Sequence, residues 1–134
     1  MKFLLDSNTC IRYLNQRSPL IIKKLHNTPE RDIVVCSIVK AELFYGAMKS
    51  QYPQQTLQKQ QLFLNRFASL PFDDQCALIY GQIRADLAIK GTPIGPNDAL
   101  IAAIAMANSL TLVTHNIAEF SRIKGLQLED WEIP

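Results

Sequence analysis

Short apolar runs alternating with helix-type segments constrain the fold of this chain more than any other feature. Lys2 to Leu5, Asp32 to Cys36 and Thr111 to Thr114 are compact stretches rich in leucine, isoleucine and valine. That is the pattern of strands buried on both faces rather than one. Each is followed by a polar group suited to starting a helix or a turn: Asp6-Ser7-Asn8, Ser37, and His115-Asn116. Strands separated by helices pair in parallel, because only a helical crossover returns the chain to the same end of a sheet. The expected fold is therefore α/β: three layers, with a short central parallel sheet flanked by helices.

The intervening segments agree. One helix is expected through Ile11 and Leu14, and a second opens at Pro19 with Leu20, Ile21 and Leu25. Ser37 is placed to cap a helix over Ile38 to Met48. After a polar loop, Ser50 to Gln54, a helix is expected over Gln55 to Ala68, with Leu57, Leu62 and Leu64 facing inward. Leu70-Pro71-Phe72 reads as a short edge strand, where proline is tolerated. Asp74 to Ile89 forms another helix, closed by Gly91. Gly95-Pro96-Asn97-Asp98 opens an alanine-rich helix ending near Asn108, with proline in its first turn. Leu126 to Leu128 reads as a last strand.

With 134 residues, 48% hydrophobic and 19% charged, the chain is expected to form one globular domain over 1–134. A net charge of +2 permits a polyanionic partner without requiring one. Three widely spaced cysteines, Cys10, Cys36 and Cys76, form no C-x-x-C pair, which argues against a zinc ribbon or a redox motif. The N-terminal apolar run is too short for a signal peptide, and no stretch reaches the ~20 residues that span a bilayer. The cytoplasm is the expected compartment, with buried free thiols and no membrane partner.

Four polar residues stand out as candidates for chemistry. Asp6 ends the first strand, where ligand sites gather in open α/β sheets. Glu42 lies on a helix that is apolar nearly all round, and a buried carboxylate needs a base, a metal or a proton. Asp98 sits in the first turn of its helix, aimed by the stiff approach Gly91 to Pro96. Asn116 lies just past the strand Leu112-Val113-Thr114. Each has a structural alternative. Asp6 caps the following helix, Glu42 pairs with Lys49 or another base, and Asp98 answers the positive end of the helix dipole.

Taken together, the four share one end of the sheet. Converging carboxylates raise one another's pKa values unless a hard cation reverses the repulsion. Magnesium, with manganese as a substitute, suits such oxygen ligands. A bound water then becomes the nucleophile, so no side-chain nucleophile is required. No G-x-S-x-G elbow, Walker A loop or dinucleotide turn competes with this reading. Arg12, Arg17, Lys23 and Lys24 lie in the first two helices, placed to hold a phosphate backbone or to form a solvated face.

These residues resemble a known family. Leu4-Leu5-Asp6-Ser7-Asn8, Ala41-Glu42-Leu43 with Gly46, Ile94-Gly95-Pro96-Asn97-Asp98 with Ile101-Ala102-Ala103, and Leu112-Val113-Thr114-His115-Asn116 with Phe120 are similar to PIN-domain nucleases. With the tail Phe120 to Leu126 and Asp130-Trp131, they resemble more narrowly the VapC toxins of bacterial type II toxin–antitoxin systems. The resemblance implies a magnesium-dependent endoribonuclease with an RNA substrate. It also implies a homodimer restrained by a small antitoxin. Asp6, Glu42 and Asp98 would be the metal-binding acids, and Ser7, Asn8 and Thr114 would orient them. Asn116 stands where many members carry an aspartate, which supports one tightly held ion and a second recruited with substrate. Glu119, one helical turn on, either supplies the missing charge or lies on the surface. The alternative is a PIN-like module, weak or inactive as a catalyst, that binds RNA or protein.

Overall fold

The computed structural model describes all residues from Met1 to Pro134. Five strands form one sheet: β1 (Phe3–Leu5), β2 (Ile33–Cys36), β3 (Ala68–Leu70), β4 (Thr111–Val113) and β5 (Gln127–Glu129). Every pairing is parallel and the order is β3-β2-β1-β4-β5. The chain thus builds outward from β1 to β3, then returns to place β4 on the other side of β1. The helices are α1 (Ser7–Leu14), α2 (Pro19–His26), α3 (Ser37–Met48), α4 (Pro53–Leu64), α5 (Asp74–Lys90), α6 (Pro96–Ala107) and α7 (Ile117–Phe120). Right-handed crossovers put the helices before β3 on one face and those after it on the other. The packing follows this division, since α1 to α4 pack among themselves and α5 lies along α6. The result is the expected three-layer α/β/α arrangement.

Residues 4, 5, 33 to 36, 112 and 113 of the three inner strands are at most 1% exposed, which explains their unbroken apolar runs. From α6, Ala99 and Ile101 to Ala105 are buried as well, so the alanines let the helix lie close to its neighbours on more than one side. All three cysteines are free and buried, and burial pushes the Cys36 thiol up to about 11. No helix is long and apolar enough to cross a membrane.

Several local expectations need correction. α4 starts at Pro53, not Gln55, because proline occupies its first turn without losing a hydrogen bond. It stops at Leu64, and Ala68 to Leu70 pairs with Val34 to Cys36, so β3 precedes Pro71 instead of containing it. Leu62 points outward at 71% exposure, while Gln60, Phe63 and Leu64 are buried. Ser37 does not cap α3; Cys36 holds the cap position without a side-chain bond, and Ser37 is the first helical residue. The single-turn helix α7 was not expected.

Candidate active site

The sheet reverses its winding between β1 and β4, and there it exposes a crevice at the strands' carboxyl ends. Leu5 faces Val113 in the register, so Asp6 and Thr114 follow side by side. Asp6 is only 5% exposed. Its Oδ1 accepts the Thr9 amide at 2.8 Å and closes the start of α1, so the capping role is present. Burial pushes its carboxyl above the usual range; hydrogen bonds from Thr114 and Thr9 hold it back, and the Glu42 charge pushes it further.

β2 delivers α3 to the same end, and α3 carries Glu42 half-buried toward Asp6. Ser7 donates its hydroxyl to Glu42 Oε1 at 2.5 Å, and the Asn97 amide donates to Oε2 at 3.5 Å. Lys49 forms no ion pair with Glu42; its ammonium lies over the Tyr45 ring, 4.7 Å from the centroid. The salt-bridge alternative for Glu42 is therefore absent.

From the other half of the chain, Gly91 ends α5 in the left-handed region, at φ 71°, and the loop to Gly95 starts α6 with Pro96 in its first turn. Arg122 Nη1 donates to the Pro93 carbonyl at 3.1 Å and pins that loop. Asp98 is half-buried in the first turn of α6. Its carboxyl is pushed up to about 7, first by burial and then by a hydrogen bond to Glu119 and that residue's charge. Glu42 and Asp6 add smaller repulsions.

Asn116 follows β4 and opens α7, its amide N–H donating to Thr114 Oγ1 at 3.0 Å. Its side-chain amide donates to the Glu119 carboxylate, whose other oxygen accepts the Gly95 amide at 3.0 Å. The one turn of α7 thus returns Glu119 to Asp98. The structure groups Asp6, Glu42, Asp98 and Glu119, with Asn116 bound to the last of them. Of the two readings of Glu119, the surface one fails. Its position three residues after Asn116, just past a strand end, was the available signal.

The remaining candidates divide between this crevice and the surface beyond it. Ser7 reaches Glu42, and Thr114 is fully buried beside Asp6. Asn8, Arg12, His115 and Asn116 line an adjoining open cleft. Arg12 is ion-paired with Glu132, and Lys24 lies 3.8 Å from Glu129. Arg17 and Lys23 are exposed and form no ion pair. A second acidic group that the sequence did not signal joins Asp130 and Glu132 to His115, whose Nδ1 lies 2.9 and 3.5 Å from their oxygens. Arg12 already answers its charge through the ion pair with Glu132.

The first cluster has no such answer. None of its four carboxylates forms an ion pair with a lysine, arginine or histidine. Oxygen-only donors, partly buried and mutually repelling, suit a hard divalent cation and suit neither a soft metal nor an anion.

Comparisons with known proteins point the same way. Residues 3–126 match the family model described as PIN domain. The chain is 44% identical over 131 residues to the tRNA(fMet)-specific endonuclease VapC of Salmonella typhimurium, covering 98% of each chain. It is 41% identical over 133 residues to Ribonuclease VapC2 of Rickettsia felis, covering 98% of this chain and 99% of that one. Among solved structures, the crystal structure of DNA-bound VapBC from Salmonella typhimurium superposes with a TM-score of 0.92 at 43% identity, covering 98% of each chain.

Proposed function

The chain belongs to the PIN-domain family, among the VapC ribonucleases, and from that premise we propose that it is a magnesium-dependent endoribonuclease, the toxin of a type II toxin–antitoxin pair. The observation that carries the metal dependence is the convergence of four carboxylates without a counter-charge; burial first, and then the Glu119 hydrogen bond and charge, lift Asp98 to about 7. Asp6, Glu42 and Asp98 would hold magnesium, or manganese in its place, with Glu119 as a fourth acid. A divalent cation held there would supply Lewis acidity at the phosphodiester and a water made acidic enough to serve as the nucleophile.

The chain's own contribution is orientation. The Thr9 amide fixes Asp6, the Ser7 hydroxyl fixes Glu42, and Gly95 with Asn116 fixes Glu119. Fixed donors lower the cost of organising charge at the moment of reaction. Burial and the Glu119 charge both disfavour an ionised Asp98, a penalty that a bound cation would offset. Arg12 borders the cleft beside the crevice, Lys23 and Lys24 line a separate surface cavity, and these three with the exposed Arg17 are assigned to the RNA backbone. A homodimer held inactive by a small antitoxin completes the reading, supported by relatives solved as VapBC complexes. The weak point noted for a catalyst was the neutral Asn116; Glu119, drawn into the cluster, supplies the charge that Asn116 lacks.

The test is RNA cleavage by the purified protein with magnesium, with EDTA, and with Asp6→Asn and Asp98→Asn in magnesium. Cleavage is expected only in the first case. If wild-type protein with magnesium cuts no RNA and its expression leaves growth unchanged, the proposal fails.

A further inference from the structure

Beside the acidic crevice lies a second cavity, of about 290 Å³, between α1, α3 and α4. Glu42 borders both, so whatever runs through the crevice passes the mouth of this cavity. Leu14 and Leu43 give it apolar walls, while Asn15 and Gln60 bring side-chain amides to it. Gly46 opens its floor: a Cβ there would meet no atom within 4 Å. Lys59, exposed and without an ion pair, stands at the rim.

Gln60 is the anomaly. It is only 8% exposed, and its Oε1 is sealed from solvent without a hydrogen-bond partner. Leaving a buried amide unpaired costs about 1–3 kcal/mol, so such groups are rare and call for a reason.

Aliphatic walls with two amide residues in the lining suit a nucleobase, which presents apolar faces and a rim of donors and acceptors. A phosphate fits poorly, because Glu42 at the border repels it. The volume falls just below the usual range for small-molecule pockets, which suits one base and excludes a folded segment. Resting on the ribonuclease reading above, we propose that this cavity receives a base of the RNA next to the cleaved bond, read by the Gln60 amide.

The experiment maps the 5′ ends produced from a random-sequence RNA pool by wild-type protein and by Gln60→Met and Gly46→Leu. Methionine keeps the volume of Gln60 without its hydrogen bonds. Leucine at Gly46 improves helix propensity and adds bulk to the cavity lining, its Cβ meeting no atom within 4 Å, so both variants are expected to fold. Wild type should favour one base at one flanking position by about 10-fold or more, the range expected from bidentate amide recognition. Both variants should reduce that preference to about 2-fold or less while still cutting RNA.

A folded pair of variants with unchanged preference overturns the proposal, as does wild-type cleavage with no flanking preference, and either result leaves the ribonuclease reading standing. Variants that keep the preference but lose binding of the antitoxin would assign the cavity to the protein partner instead. Wild-type protein that cuts no more than Asp6→Asn would remove the ribonuclease reading and this proposal together.

Discussion

Replacing Glu119 with glutamine removes one negative charge from the cluster while keeping an oxygen for the Gly95 amide to bond. In the wild type the Asp98 carboxyl lies at about 7 when folded, against an ordinary value of 3.8. Between those values the folded state binds more protons than the unfolded one, so stability falls as pH rises from about 4 to about 7. At 1.36 kcal/mol per pK unit, the full shift corresponds to about 4 kcal/mol. Asp98 is half-buried, and solvent screening reduces a realistic figure to about 1–2 kcal/mol. For a domain of this size that is a drop in melting temperature of about 3–8 °C.

The assay is thermal unfolding in EDTA from pH 5 to pH 8, read as wild type minus Glu119→Gln. Taking the difference removes groups such as Asp73, whose carboxyl is lowered by the Cys76 amide and which acts in the opposite sense. Glutamine relieves the Glu119 share but not the burial of Asp98, so the slope should shrink by roughly half without vanishing. Free magnesium at about ten times its Kd adds about 1.4 kcal/mol, and it should do so to the wild type at pH 8 far more than at pH 5. Parallel pH profiles for the two proteins, or magnesium stabilisation that is equal at both pH values, would refute the reasoning.

Other substitutions separate packing from chemistry. Asp6→Asn keeps a good helix cap, whereas Asp6→Ala loses about 1 kcal/mol with it; both should reduce RNA cleavage at least about 100-fold, and circular dichroism should show both folded. Ser7→Ala removes the 2.5 Å bond to Glu42 and should lower cleavage by about 10-fold, the effect of one charge-assisted hydrogen bond; Ser7→Thr should retain most of the activity. On α4, Phe63→Ala should cost about 3–5 kcal/mol in denaturant unfolding. Leu62→Ala, one residue away on the exposed side, should stay within about 0.5 kcal/mol.

What could be read from the chain alone follows from how local each signal is. The inner strands β1, β2 and β4 are apolar on both faces, and their runs stand out without any partner in view. The outer element β3 is different: Ala68 and Ser69 are exposed, and only pairing with Val34 and Val35 makes them a strand. α4 is rich in glutamine, which suits either face, so Leu62 could not be told from Phe63 by spacing alone. Asp6, Glu42 and Asp98 were legible because each departs from its neighbours at a strand end or on an apolar helix. Glu119 was ambiguous because a single helical turn has no periodicity to read. The pairing of Arg12 with Glu132 spans 120 positions of the sequence and is set only by the folded chain.

The order β3-β2-β1-β4-β5 has a consequence for a protein whose activity harms the cell that makes it. Asp6 and Glu42 leave the ribosome early, while Asp98, Asn116 and Glu119 come from the last third of the chain. β4, the strand that carries this second group to the side of β1, is followed only by α7, β5 and the terminal residues. The proposed site therefore cannot assemble until β4 has been made and has paired with β1. The two halves can close on each other only after that pairing, so the hazard waits on a long-range contact rather than on any local segment.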